Sequence, residues 1–346
     1  MKYADSRIIE AVLSKAEREC PGALDMVAVY GSSGTEDEYE KSDLDLMILI
    51  NDERGWRLSD GFILDDTHVG YDIYCTTWEG LEGDAECRHA HISKLMEPRI
   101  VYAAGDAVRE RLNRLQDRAR AILSSAERYA RVDDIGGDMR REYADALLSD
   151  GMGEARAHAA YAITLALDMV MLWNGRYFRR GVKRTFDEIK GLELPDGFTG
   201  GIMDVICAQD MDGLRRALTG FVKGTLAFAA RSHERTHPSK ENIAGTYEEM
   251  FSNWRNKMHE AAANGDVFAS FMNMASLHFM MDDIAGDVDI ADTAPMAGFD
   301  AHDLAHNASA FDDVLARYLD EYRRAGIEPK HFADVDEFVR AYLAQQ

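Results

Sequence analysis

The chain has 346 residues, of which 46% are hydrophobic, and a formal net charge of −23. A length of this order suggests about two domains, with enough apolar content for a core. A surface this acidic repels phosphate backbones, which argues against non-specific binding of DNA or RNA, and it draws cationic small molecules toward any acidic cleft. Cys20, Cys75, Cys87 and Cys207 are widely spaced, with no C-x-x-C. That pattern argues against a disulfide framework or a zinc cage and fits free thiols in a reducing cytoplasm.

The first stretch, MKYADSRIIEAVLSKAEREC, is charged throughout and has no apolar h-region, so no secretory signal is expected. Ile8, Ile9, Val12, Leu13 and Ala16 recur at helical spacing and predict an opening amphipathic helix, stopped by Pro21-Gly22. MVAVYG (26–31) reads as a short strand ending in glycine, and LDLMILI (44–50) as a second. FILDD (62–66) and VGYDIYCTTW (69–78) read as two strands joined tightly near Thr67 and His68. Helices are expected at 79–98 and 106–130, with RIVYAAGDAV between them. Beyond residue 130 the periodicity is helical almost to the end. AAYAITLALDMVMLW (159–173) is interrupted by Asp168 and falls short of the ~20 apolar residues of a membrane span, so it reads as a buried core helix. No membrane association is expected, and a cytoplasmic location follows.

The chemistry concentrates in GSSGTEDEYEKSDLDLMILI (31–50). Asp43 and Asp45 are separated by one residue at the mouth of an apolar run. In a strand they share a face, roughly 7 Å apart, and repel. A divalent cation compensates such a pair, and carboxylate oxygens are the ligands Mg²⁺ prefers. A third carboxylate, Asp72, interrupts the apolar VGYDIYC. Read as a buried strand residue, it needs a partner or a metal. If its strand pairs beside the one opened by Asp43, three carboxylates converge, as two-metal phosphoryl or nucleotidyl transfer requires. Gly31, Ser32 and Ser33, with the amides that follow, could cradle phosphates. D-x-D alone is common at solvated strand ends. The ordered set of strand, Gly-Ser, ten-residue gap, D-h-D-h, hairpin and h-D-h is far more specific.

That set resembles the nucleotidyltransferase superfamily that includes DNA polymerase β. The resemblance is strongest to bacterial enzymes that nucleotidylate small molecules, of the aminoglycoside and lincosamide type. GSSGTEDEYEKSDLDLMIL (31–49), VGYDIYC (69–75) and RIVYAAGDAVRERL (99–112) carry it over roughly the first third. ALDMVMLWNGRYFRRGVKRTFDEI (166–189) looks more weakly like the helical domain of those enzymes. The resemblance implies an α+β fold: a nucleotidyltransferase domain with a mixed sheet over 1–125, then a helical-bundle domain over 126–346, with a subdivision near 240 as an option. It implies Mg²⁺-dependent transfer of an NMP group from an NTP, ATP favoured, to a hydroxyl of a small, cationic or antibiotic-like acceptor. Asp43 and Asp45 correspond to the metal-binding pair, Asp72 to the third acidic residue, which holds metal or acts as base, and Ser32 to the serine that contacts the triphosphate. Some relatives complete their site across a homodimer. Alternatives are AMP transfer to a protein, as in antitoxin-like members, and a catalytically silent nucleotide-binding regulator.

Where antibiotic-modifying relatives often carry a basic residue after Gly-Ser, this loop is acidic and holds only Lys41. Arg176, Arg179, Arg180, Lys183 and Arg184 form the densest basic cluster. If helical after Asn174-Gly175, they gather near a helix N-terminus and could clamp a triphosphate; the alternative is a surface helix whose basic residues pair with nearby Asp187 and Glu188. Glu142 is a second candidate base. Trp173 and Tyr177 could stack on a nucleobase or belong to the core. His302 and His306 have the i, i+4 spacing of a zinc pair but lack a third ligand, and read as a polar helix face.

Overall fold

Leu46–Ile50, LMILI, carries no polar side chain, and all five residues are buried. A strand that is apolar on both faces demands cover on both, and it becomes the central strand of the fold. In the computed structural model, which describes residues 3–31, 44–232, 243–284 and 294–344, this segment is β2. Its neighbours are β1 (Leu24–Val29), β3 (Asp60–Leu64), β4 (Val69–Thr77) and β5 (Arg99–Ala103). The sheet is mixed, in the order β3-β4-β2-β1-β5. β1 pairs antiparallel with β2 and β5, β3 with β4, and only β2 and β4 run parallel. RIVYA, expected as a link between helices, is the edge strand β5. Its periodicity is weak because an edge strand is half open: Arg99, Val101 and Tyr102 are exposed while Ile100 faces the core.

Alternate side chains of β2 enter separate layers. Leu46, Ile48 and Ile50 pack with Ile9, Val12 and Ala16 of α1 (Tyr3–Glu19). Met47 and Leu49 face the other way, into a core with α2 (Trp78–Ala85), the short α3 (Ser93–Met96) and α4 (Asp106–Ser124). That core continues through α5 (Glu127–Leu148), α6 (Met152–Trp173) and α9 (Met211–Ala229). Ala155, Ala159, Ala162 and Ala166 recur at three and four residues along α6 and are buried. Small side chains on one stripe let helix axes approach closely. Between α6 and α9 lie the short α7 (Thr185–Glu188) and α8 (Phe198–Cys207).

The chain divides into two compact units, Met1–Ser232 and His233–Gln346. The first is the α+β unit just described. The described part of the second is helical, with Met258, Met274, Leu277, Met281, Phe311, Tyr318 and Tyr322 in its core. The methionine-rich stretch HFMMDD (278–283) contributes Met281 to that core. Among the described residues no helix is long and apolar enough to cross a membrane.

All four cysteines are free; Cys20, Cys75 and Cys87 are buried and Cys207 is exposed. Burial pushes the thiols of Cys75 and Cys87 up to about 11. Little thiolate is therefore present at mild pH, and the thiolate is the reactive form. In an Ellman titration the native chain is expected to release one prompt equivalent, from Cys207. The other three are expected to react only after unfolding in guanidinium.

Candidate active site at the open end of the sheet

β1 and β2 come together at the sheet end where β1 stops and β2 starts. The Tyr30 amide donates to the Asp45 carbonyl at 3.1 Å, extending their ladder past the strand ends. Gly31 follows in the left-handed region, at φ 68°. A Cβ built there would lie 2.7 Å from Cγ of Asp45, and closer still to its Oδ2. The positive φ favours glycine, and any side chain here would also have to displace the Asp45 carboxylate.

β4 brings the second carboxylate. Met47 pairs with Tyr74 and Ile48 with Cys75 in parallel register. Continued two residues toward both N-termini, the same register sets Asp45 opposite Asp72. Neighbouring strands lie about 4.8 Å apart, and residues in matched register share a face. That face is the one Met47 and Leu49 present to the helices, so the carboxylates stand just beyond its covered part. Asp45 is half-buried and Asp72 exposed. The expectation that Asp72 lies buried is therefore corrected. In β4 the side chains of Val69, Tyr71, Ile73 and Cys75 are buried while Gly70 and Asp72 are exposed, so this half of the strand is covered on one side only. No desolvation penalty forces a partner on Asp72. Its openness instead leaves its oxygens reachable. Ser32, Ser33 and Asp43 lie outside the described residues.

Two tyrosines share this face. Tyr30 and Tyr74 bring their hydroxyls within 3.2 Å of each other. Tyr30 directly follows β1 and Tyr74 belongs to β4, so the pair reaches across β2. Their signal was present in the sequence: Tyr30 directly precedes Gly31, and Tyr74 has the parity of Asp72.

The basic segment 176–184 does not continue as a helix after Asn174-Gly175. α6 ends in a Schellman motif: Gly175, at φ 63°, donates to Leu172 O at 2.9 Å, and Arg176 donates to Met171 O at 2.8 Å. The chain then runs irregularly to Gly181, turns through Val182–Arg184 in a 3₁₀ helix, and enters α7. Arg184 pairs with Asp187 at 2.9 Å, and the Arg179 amide donates to Glu188 at 2.9 Å. Arg176, Arg180 and Lys183 are exposed. The loop is tied to the sheet by Glu97, which receives the Tyr177 hydroxyl at 2.8 Å and Nε of Arg179 at 2.6 Å. Two residues on, Arg99 pairs with Val29, so Glu97 stands at the sheet end that carries Gly31 and Asp45. Burial, reinforced by Glu97, pushes the Tyr177 hydroxyl up to about 12. Trp173 is buried between Tyr129 and Phe228, with centroids at 5.2 and 4.6 Å, and belongs to the core rather than to a nucleobase platform.

Behind this loop sits Asp168, the residue that interrupts the apolar run of α6. It is 3% exposed and accepts the Ala90 amide at 3.0 Å, with His91 Nε2 at 3.6 Å. Ala90 in turn accepts the Phe178 amide at 2.8 Å, and the His91 ring stacks on Phe178 at 4.7 Å. The turn RHAHI (88–92) thus joins α6 to the basic loop. Desolvation holds the Asp168 carboxyl above its ordinary value of 3.8, opposed by His91 and the Ala90 amide.

Glu142, the second candidate base, lies in α5 and is hydrogen-bonded to Nδ1 of His158 at 2.7 Å. His302 and His306 are exposed at the start of the helix Leu304–Arg324, which Asp303 caps by accepting the His306 amide.

No known protein family matches the sequence, and no curated protein does. Among solved structures the chain is similar to a nucleotidyltransferase-like protein from Exiguobacterium sibiricum 255-15. The TM-score is 0.39 at 12% identity, over 82% of this chain and 90% of that one.

Gly31→Ala is expected to lower stability by about 1–3 kcal/mol, from left-handed strain and displacement of Asp45, as read by thermal unfolding. Asp168 predicts a pH dependence. Its raised folded-state pKa means that its contribution to stability is full below 3.8 and is lost as pH rises through the folded value. Asp168→Asn cannot ionise and can still accept the Ala90 amide. Its stability relative to the native chain is therefore expected to rise as pH climbs from about 4 toward neutrality, measured by urea unfolding at a series of pH values.

Proposed function

We propose that the chain is a Mg²⁺-dependent nucleotidyltransferase that moves a nucleoside monophosphate from an NTP to a hydroxyl of a small acceptor. The observation that carries this reading is the parallel β2–β4 register, which sets Asp45 opposite Asp72 beside the Gly31 turn. Their donors are all oxygen and one of them is exposed, which suits a hard, partly hydrated cation. Asp45 and Asp72, with Asp43 from the same D-x-D motif, are the residues that would hold Mg²⁺. When bound, it neutralises triphosphate charge and favours in-line displacement.

The remaining work falls to the chain's own groups. Gly31 lets backbone approach the phosphates closely, and the amides and hydroxyls of Ser32 and Ser33 are assigned to the triphosphate. Arg176, Arg180, Lys183 and Arg184, on the loop tied to the same sheet end, are assigned to the leaving pyrophosphate. Asp72 is open to an incoming acceptor and takes its hydroxyl proton as the oxygen attacks the α-phosphorus. The bond to the β-phosphate bridging oxygen breaks, and pyrophosphate leaves. Positioning and charge stabilisation supply most of the catalysis in such a reaction. The net charge of −23 favours a cationic acceptor, such as an aminoglycoside-like compound.

The test is calorimetric titration with ATP, GTP, CTP and UTP, with and without Mg²⁺, on the native chain and Asp45→Asn. One NTP, ATP on this reading, is expected to bind only with Mg²⁺, and at least tenfold more weakly to the variant. Absence of NTP binding, or equal binding by the folded variant, would sink the assignment. Labelled-NTP turnover then separates transfer to a small molecule from transfer to protein.

A further inference from the structure

On the α5–α6 hairpin, Glu142 and Asp145 stand three residues apart on one face of α5, and His158 faces them from α6. One ligand atom from each lies within 4.8 Å of the others. His158 Nδ1 and Glu142 Oε2 are 2.7 Å apart, and both side chains are partly buried. Asp145 is exposed, and its carboxylate lies beside these two groups, open to an ion arriving from solvent. Like charges at i, i+3 destabilise a helix, and a single imidazole cannot neutralise two carboxylates. A divalent cation can.

We propose that Glu142, Asp145 and His158 form a binding site for one divalent transition-metal ion of the zinc class, stapling α5 to α6. One imidazole nitrogen with two carboxylate oxygens is a borderline donor set, suited to Zn²⁺ and Co²⁺ and poorly matched to Mg²⁺. Zinc bonds of 2.0–2.2 Å place neighbouring tetrahedral ligands about 3.4 Å apart. The close His158–Glu142 pair has only to open slightly and Asp145 to swing in, which side-chain rotation allows. Three protein ligands leave a fourth position for water. The site is separate from the proposed Mg²⁺ site: His158 lies ten residues before Asp168 in α6, about 15 Å along the helix from the end that supports the RHAHI turn.

The experiment titrates the metal-stripped full chain with Zn²⁺ by calorimetry, alongside His158→Ala, Glu142→Gln and Asp45→Asn, each checked for native helicity by circular dichroism. Exposed histidines and Cys207 bind zinc weakly on any chain of this kind, so the readout is a difference. The native chain and Asp45→Asn are expected to share one tight site that both hairpin variants lose, with affinity at that site falling more than tenfold. The same site is expected to raise the native melting temperature with Zn²⁺ but not that of His158→Ala. If His158→Ala is unfolded, Glu142→Gln decides alone. Equal tight binding by native chain and folded hairpin variants, or no tight site on the native chain, overturns the proposal.

Discussion

β2 has no polar side chain and is covered on both faces, and that double burial organises the first unit. Each of its residues must be matched by apolar surface, from α1 on one side and from the α2–α4 and α5–α6 layers on the other. Polar side chains can occupy the line of this strand only where the cover ends. Asp45 stands at that point, half-buried, with Gly31 pressed against its carboxylate and Tyr30 clipped to its backbone. Because β4 lies parallel to β2, its first exposed carboxylate, Asp72, arrives at the same end and on the same face. An antiparallel partner in that place would have carried it to the opposite end of the sheet.

A second constraint comes from Asp168. A carboxylate within an apolar helix is costly unless it is hydrogen-bonded. Here its partners are the Ala90 amide and His91, the middle of the RHAHI turn. Asp84, also buried, holds the same turn from the other side, with His89 at 3.4 Å and Lys94 at 3.2 Å. The turn is thus held by two buried carboxylates. Phe178 docks on it through both backbone and ring, so the loop carrying the basic cluster is placed by the core rather than by its own helical propensity.

Much of this was legible in the chain. The opening helix, the first two strands, the β3–β4 hairpin and the buried helix ending at Trp173 follow from apolar periodicity and from Gly, Pro and Asn punctuation. Those signals are local, and each element buries the side its own pattern marks. The edge strand β5 was not legible, because one neighbour and a half-open face leave little alternation. The sequence left open whether the basic segment continues as a helix, and the structure decides against it at Gly175. A positive-φ glycine that closes a Schellman motif ends a helix whatever follows.

The sequence by itself determined which residues are candidates for chemistry: carboxylates at Asp43, Asp45 and Asp72, a glycine before the D-x-D motif, and one basic cluster in an acidic chain. Their order along the chain carries that information, because residue type and spacing are local properties. Only the tertiary structure decided that Asp72 is open rather than buried, that Tyr30 and Tyr74 meet across β2, that Asp168 supports the basic loop, and that His158 faces Glu142 and Asp145. Each of these depends on pairing between segments distant in sequence, where strand register, helix packing and the limits of apolar cover set which side chains meet and which face water.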